Sequence, residues 1–287
     1  MQELDLAGGP ETVVTRHFGG RYFSWEQAID FDALLAHIHV ADEPYRDFHL
    51  AAALVVASDA VNTVGKHFAQ PIKLRNANGL PKKHLVKQTL RDRALDVFDL
   101  YRASCESLAA LRPTRGRHRA IRSDYLAFLE SDTTPFAALY ADPPYTRDHY
   151  SRYYHVLETM ALRDDPEVAT TKIRSNGVPR LSRGLYRLQR HQSPFCIPTK
   201  ASGAFEQLFG RVAERRIPLV LSYSPYQASA KNRRRLLTID QLLGIANRHF
   251  DEVELVPIDG MSHNKFNITE RNVNVESHAE VLISCYP

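Results

Sequence analysis

The chain has 287 residues, of which 44% are apolar, 24% charged and 9% aromatic. That is material for one large core or two small ones, and it excludes a mostly disordered chain. Three scattered cysteines (Cys105, Cys196, Cys285) make neither a disulfide framework nor a zinc cluster, no apolar run is long enough to span a membrane, and the acidic start MQELDLAGGPETVV has no apolar signal core. The expectation is a protein of a reducing cytoplasm with no membrane partner.

The net charge of +4 hides an uneven layout. Residues 66–122 carry 14 Lys/Arg against 4 Asp/Glu, and residues 171–200 carry 7 Lys/Arg and no acid. Two acid-poor stretches suit a polyphosphate partner, because each cation near a phosphate releases a counterion. Solvated helix faces are the other reading.

In chain order, Ser24 with Gln27 three positions on forms a capping box, and apolar residues at helical spacing predict a helix over 24–38. Residues 46–64 predict a buried helix rich in Ala, Leu and Val. Gly65–Pro71 is a basic loop, 83–110 one long amphipathic helix, Pro113–Arg119 a second basic loop, and 121–131 a short helix. Residues 1–130 therefore form a mostly helical, basic region. The pattern changes at Phe136, where FAALYAD predicts a buried strand stopped by two prolines. A helix over 150–162 follows, then a Gly/Pro/Ser/Arg-rich insertion at 163–203. Further on come a helix over 204–215, a strand over 217–223, a helix over 236–248, and strands over 252–257 and 280–285 that can form a long-looped antiparallel pair. Strand–helix–strand alternation with continuous apolar strands predicts a parallel α/β sheet.

The chemistry sits at Leu139-Tyr140-Ala141-Asp142-Pro143-Pro144-Tyr145. In open α/β sheets ligands bind where such a strand ends. The exocyclic amine of adenine is a poor nucleophile, since its lone pair is delocalised into the ring. Asp142 and the Pro143 carbonyl offer two acceptors for its N–H groups, the prolines stiffen that arrangement, and Tyr145 offers a stacking face for an extruded base.

Asp142-Pro143-Pro144-Tyr145, with Thr146-Arg147 and Tyr150-Ser151-Arg152-Tyr153-Tyr154 behind it, resembles the D12 (deoxyadenosine methylase-like) class of N6-adenine DNA methyltransferases. Val61–Pro71, Ile217–Tyr226 and Glu280–Ser284 are similar to further segments of that class. The resemblance implies a partial Rossmann-like methyltransferase sheet, from the DPPY strand onward, behind a helical target-recognition region (1–130). It implies double-stranded DNA and S-adenosylmethionine as substrate and methyl donor in a prokaryotic cytosol or nucleoid. Asp142, Pro143, Pro144 and Tyr145 carry over as catalytic residues, and Asp142 and Tyr140 as cofactor contacts. Lys66, His67, Lys73, Arg115, Arg117, Arg119, Arg147, Tyr150, Tyr154, Arg183 and Arg187 are the candidate DNA contacts. The arginines Arg180, Arg183, Arg187 and Arg190 share one face if a helix forms there. Asn62 is read as structural, His149 and His155 lack metal-ligand spacing, and no metal is expected. Cys196 and Cys285 need no catalytic role. His263-Asn264-Lys265 is a further candidate for DNA or solvent.

The family's glycine-rich cofactor turn, Phe-x-Gly-x-Gly after a first strand, is not found. Gly8-Gly9 follows no apolar strand, and Phe18-Gly19-Gly20 follows one too short for a core. A split enzyme, whose second subunit brings that turn and the first three strands, accounts for the gap. A misassigned gene start and a degraded paralogue are the other accounts. The expected function is the catalytic subunit of a site-specific DNA adenine-N6 methyltransferase of a restriction–modification or defence system. The alternative is a non-catalytic DNA-binding subunit.

Overall fold

The computed structural model describes residues 12–63, 65–111, 116, 118–172, 179–224, 235–258 and 280–287. The chain forms two compact units, each built from two separate stretches: 1–115 with 151–191, and 116–150 with 192–287. The expected boundary at residue 130 does not coincide with this division. Residues 116–130 pack with the sheet, and most of the insertion packs with the N-terminal helices.

The first unit is helical. Helix α1 (Val13–Phe18) was not predicted. Its first turn is capped from outside, by Asp32, whose carboxylate accepts from the amides of Val14 at 2.9 Å and Thr15 at 2.8 Å. Helix α2 (Trp25–His39) starts with the expected capping box between Ser24 and Gln27. It buries Ala28, Phe31, Leu34, Leu35 and Ile38, an i, i+3, i+4 stripe. Helix α3 (Tyr45–Ala60) buries the narrower face Ala52, Ala53, Val56, Ala57 and Ala60. The single helix expected over 83–110 is two, α4 (Lys83–Arg93) and α5 (Val97–Ala109). Asp96 breaks it by capping the second helix, its side chain accepting from the Asp99 amide at 2.8 Å. Similarly, the 150–162 helix divides at Tyr154 into α7 (Tyr150–Tyr153) and α8 (His155–Leu162).

Val156 and Met160 of α8 and Leu185 join Phe18, Tyr22, Phe23 and Phe31 in one core. Within the insertion, β2 (Thr170–Lys172) and β3 (Pro179–Leu181) pair antiparallel. The arginine ladder is therefore not helical: Arg180 lies on β3, Arg183 follows it in a turn, and Arg187 forms an isolated antiparallel bridge with Val168.

The second unit is a four-stranded sheet in the order β1-β4-β6-β5. Its strands are β1 (Leu139–Ala141), β4 (Leu219–Tyr223), β5 (Glu252–Ile258) and β6 (Glu280–Tyr286). The neighbours β1 and β4 run parallel, Leu139 pairing with Leu219. β6 lies antiparallel to both β4 and β5, so the sheet is mixed rather than parallel, and the expected long-looped β5–β6 pair is present. The expected buried strand over 136–142 is also corrected. β1 has three residues and stands at the sheet edge, and Tyr140 is 64% exposed.

Helix α6 (Tyr125–Ser131) is capped by Asp124. Helix α9 (Ala201–Glu214) lays Ala204, Phe205, Leu208, Phe209 and Val212 against Leu219, Leu221, Tyr223 and Ile283 in one core. Each such side chain withdrawn from water contributes about 1.5–3 kcal/mol. Helix α10 (Ile239–Ala246) closes the same core with Leu242 and Ile245 behind a Thr238–Gln241 capping box. Among the described residues no helix is long and apolar enough to cross a membrane.

Candidate active site at the end of the edge strand

β1 stops at Ala141, where Pro143 and Pro144 remove the next ladder donors. Asp142 is exposed beyond the strand end, Pro143 is buried and Pro144 half-buried. The loop is tied down at its far end, where the Tyr145 carbonyl accepts from the Leu236 amide at 3.2 Å. The antiparallel pairing of β6 with β4 sets Val281 opposite Tyr223, which brings the first residue of β6, Glu280, to this same end of the sheet.

Tyr145 is the best-held side chain of the group. Its hydroxyl donates to Glu280 Oε1 at 3.1 Å, and the other oxygen of that carboxylate accepts from Ser222 Oγ at 3.1 Å. The ring meets Tyr223 edge-on with centroids 5.3 Å apart, and the Arg235 guanidinium carbon lies 4.5 Å from its centroid. Arg235 is itself anchored on Ser224, to Oγ at 2.6 Å and to the carbonyl at 3.3 Å. Burial pushes the Tyr145 phenol well above the ordinary tyrosine range, and the Glu280 charge adds to this while Arg235 opposes it. The Tyr223 hydroxyl donates to the Leu237 carbonyl at 2.8 Å.

Chemically, this end of the sheet offers an exposed carboxylate, rigid proline carbonyls, an aromatic ring in a fixed plane and a second carboxylate holding it. Of the proposed cofactor contacts, Asp142 and Tyr140 both face solvent at the open edge. An exposed carboxylate and ring are the chemistry that an ammonium group would call for, but neither is a glycine turn or a ribose-binding acid. Burial pushes the thiols up to about 11 for Cys196 and about 12 for Cys285, so neither is a thiolate nucleophile at neutral pH. Among the described residues no cluster of His, Cys, Asp or Glu could hold a metal ion.

The candidate DNA contacts fall into three groups. Lys73 and Tyr154 in the first unit and Arg147 and Tyr150 in the second are exposed. Others are engaged by the protein. Lys66 Nζ donates to the carbonyls of Asp59 at 2.6 Å and Val61 at 3.1 Å, at the end of α3, and lies 3.4 Å from buried Asp92. His67 stands edge-on to Tyr153 at 4.8 Å. Arg183 donates to the Pro71 carbonyl at 3.2 Å, and Arg119 pairs with Asp132 at 2.6 Å. Arg187 forks onto Asp164 and also donates to Thr159 Oγ1 at 3.1 Å, leaving its side chain 12% exposed. That guanidinium is a structural cation of the first unit, its pKa raised first by the Asp164 hydrogen bonds. The third group, Arg115 and Arg117 together with His263-Asn264-Lys265, lies outside the described residues. Asn62 is structural as expected, its side-chain oxygen accepting from buried Thr89 at 3.0 Å.

Glu280 and Arg235 were not singled out from the sequence, whereas Ser222-Tyr223-Ser224-Pro225, of which Pro225 lies outside the described residues, reads there as ending the second strand and facing this pocket. A signal was present for Glu280: an antiparallel closing strand must bring its first residue to the end where the DPPY strand finishes.

No family model matches the chain, and no solved structure does. Over 109 residues, 38% of this chain, it is 31% identical to the modification methylase LlaI of Lactococcus lactis subsp. lactis. The matched stretch spans 14% of that protein's length.

Proposed function

We propose that this chain is the catalytic, target-recognising part of a DNA adenine-N6 methyltransferase that uses S-adenosylmethionine. The carrying observation is the Asp142-Pro143-Pro144-Tyr145 loop at the end of β1, with its carboxylate exposed and its tyrosine ring fixed. Similarity to a modification methylase supports the same reading. S-adenosylmethionine supplies an electrophilic methyl group. Asp142 and the Pro143 carbonyl accept the N–H bonds of the target amine, which favours a tetrahedral nitrogen and receives the proton it sheds. Preorganised acceptors of this kind cost no reorganisation as charge develops. Tyr145 supports the base once it leaves the duplex. Lys73, Arg147, Tyr150 and Tyr154 are the exposed candidates for DNA contact.

The glycine-rich turn is proposed to come from a second subunit. The support is the free side of β1, which pairs only with β4 among the described residues and presents Tyr140 to solvent. An open edge of this kind accepts a further strand.

The test is methyl transfer to duplex DNA by the chain with and without that subunit. Asp142→Ala is expected to lower transfer by about 100-fold or more, the scale of losing a transition-state acceptor, with DNA affinity retained. Full transfer by the isolated chain excludes the split assembly. A second reading, a non-catalytic DNA-binding subunit, is favoured by Arg235, which covers part of the Tyr145 ring that a base would use. Unchanged transfer by a complex carrying Asp142→Ala would establish that reading instead.

A further inference from the structure

A stacking residue works only if its ring is held in the right place as well as the right plane. A tyrosine ring turns about two torsions, and the second has broad wells. In Tyr145 the backbone is fixed by the Leu236 amide, one side of the ring by Tyr223 and one face by Arg235. Among the described residues Glu280 alone grips the tip, where a contact has the longest lever against swinging of the whole side chain. Its carboxylate is braced in turn by Ser222 at the end of β4, so one residue from β6 ties the DPPY loop to the neighbouring strand. Nothing else in the chemistry above uses this carboxylate.

We infer that Glu280 is a positioning residue, holding the tip of the Tyr145 side chain and with it the place of the ring on which an extruded base rests. This rests on the methyltransferase reading. Glu280 does not touch the reacting atoms; it acts through the tyrosine hydroxyl. Because the phenol is pushed up by burial, it stays protonated and remains the donor of this bond over the working pH range.

The experiment uses the full chain together with the subunit that completes its activity. In the first arm, 3-fluorotyrosine is placed at position 145 and its fluorine signal is recorded. The signal is expected to be displaced from that of the free amino acid in the parent. It should stay so in Glu280→Gln, which keeps an acceptor oxygen, and sharpen towards the free value in Glu280→Ala. In the second arm, Glu280→Ala is expected to lower kcat by about 10–100-fold, the scale of a small misplacement, with KM for DNA little changed. Glu280→Gln should recover most of that loss. In a Tyr145→Phe background, where the hydroxyl is gone, Glu280→Ala should cost less than about twofold more. An unmoved fluorine signal in Glu280→Ala overturns the inference, and so does a full, multiplicative loss in the Tyr145→Phe background. A normal kcat in Glu280→Ala overturns the inference alone. No transfer to any DNA by the parent complex overturns the methyltransferase reading, and the inference falls with it.

Discussion

His155, on α8, should make the first unit sensitive to mild acid. It is fully buried, with the rings of Phe18, Tyr22 and Tyr186 at 5.9, 5.8 and 5.3 Å. Its Nδ1 lies 3.1 Å from the Arg152 carbonyl, which can only accept, so Nδ1 carries the proton of the neutral ring. Burial lowers the pKa from 6.5 to about 4; the carbonyls of Arg152 and Gly184 resist this, and the charges of Arg187 and Arg190 add to it. Between those two values the unfolded chain binds the proton and the folded chain does not, so stability rises with pH across that window. About 2.5 pH units at 1.36 kcal/mol each gives about 3 kcal/mol. That contribution is fully present above pH 6.5 and lost as pH falls to about 4. Urea unfolding followed by circular dichroism, at steps from pH 7 to pH 4, should show it. His155→Gln, which keeps an N–H donor and does not titrate, should lose less stability over the same steps. Parallel losses in the two proteins would refute the reasoning, because carboxylates titrate alike in both.

Two further outcomes follow from the packing. Asp32→Ala leaves the amides of Val14 and Thr15 buried without their acceptor, at a cost of about 2–5 kcal/mol; a urea midpoint equivalent to less than about 1 kcal/mol would show that α1 finds another cap. Tyr140→Lys places a charge at the open edge of β1. It should weaken capture of the proposed second subunit by about tenfold or more, an interface-anchor effect, with the circular dichroism spectrum unchanged; undiminished capture would refute the proposed docking at this edge.

What could be read from the sequence was local. The Ser24–Gln27 capping box, the Asp142–Tyr145 loop at a strand end and the β5–β6 pair depend on neighbours in the chain or on a two-residue period, and all three are in the structure. The break between α4 and α5 was hidden because the amphipathic spacing continues across it, although Asp96 is a good cap. Helix α1 was missed because its cap comes from Asp32, on a different helix. The parallel-sheet expectation treated all the apolar runs alike, yet periodicity carries no strand direction: β1, β4 and β5 share one, and β6 runs against them. The arginine ladder has helical spacing but no helix, because the insertion folds as a hairpin and Arg187 is neutralised by Asp164. Glu280 and Tyr145 are 135 positions apart, beyond the reach of any spacing rule.

The stapling of the first unit across the insertion has a consequence for how the chain is made. The Tyr22 hydroxyl shares its one proton between the carbonyls of Phe68 and Gly184, both at 2.9 Å, and Tyr186 donates to the Ala69 carbonyl, while Val156, Met160 and Leu185 complete the helical core. A ribosome that has released only the first five helices has therefore delivered an unfinished globule with an apolar gap in its side. That gap closes only after the DPPY loop has emerged and residue 191 has followed. Maturation of the helical unit is thus tied to synthesis of the loop. An exchange of the helical unit between related chains needs three junctions, near residues 115, 150 and 191.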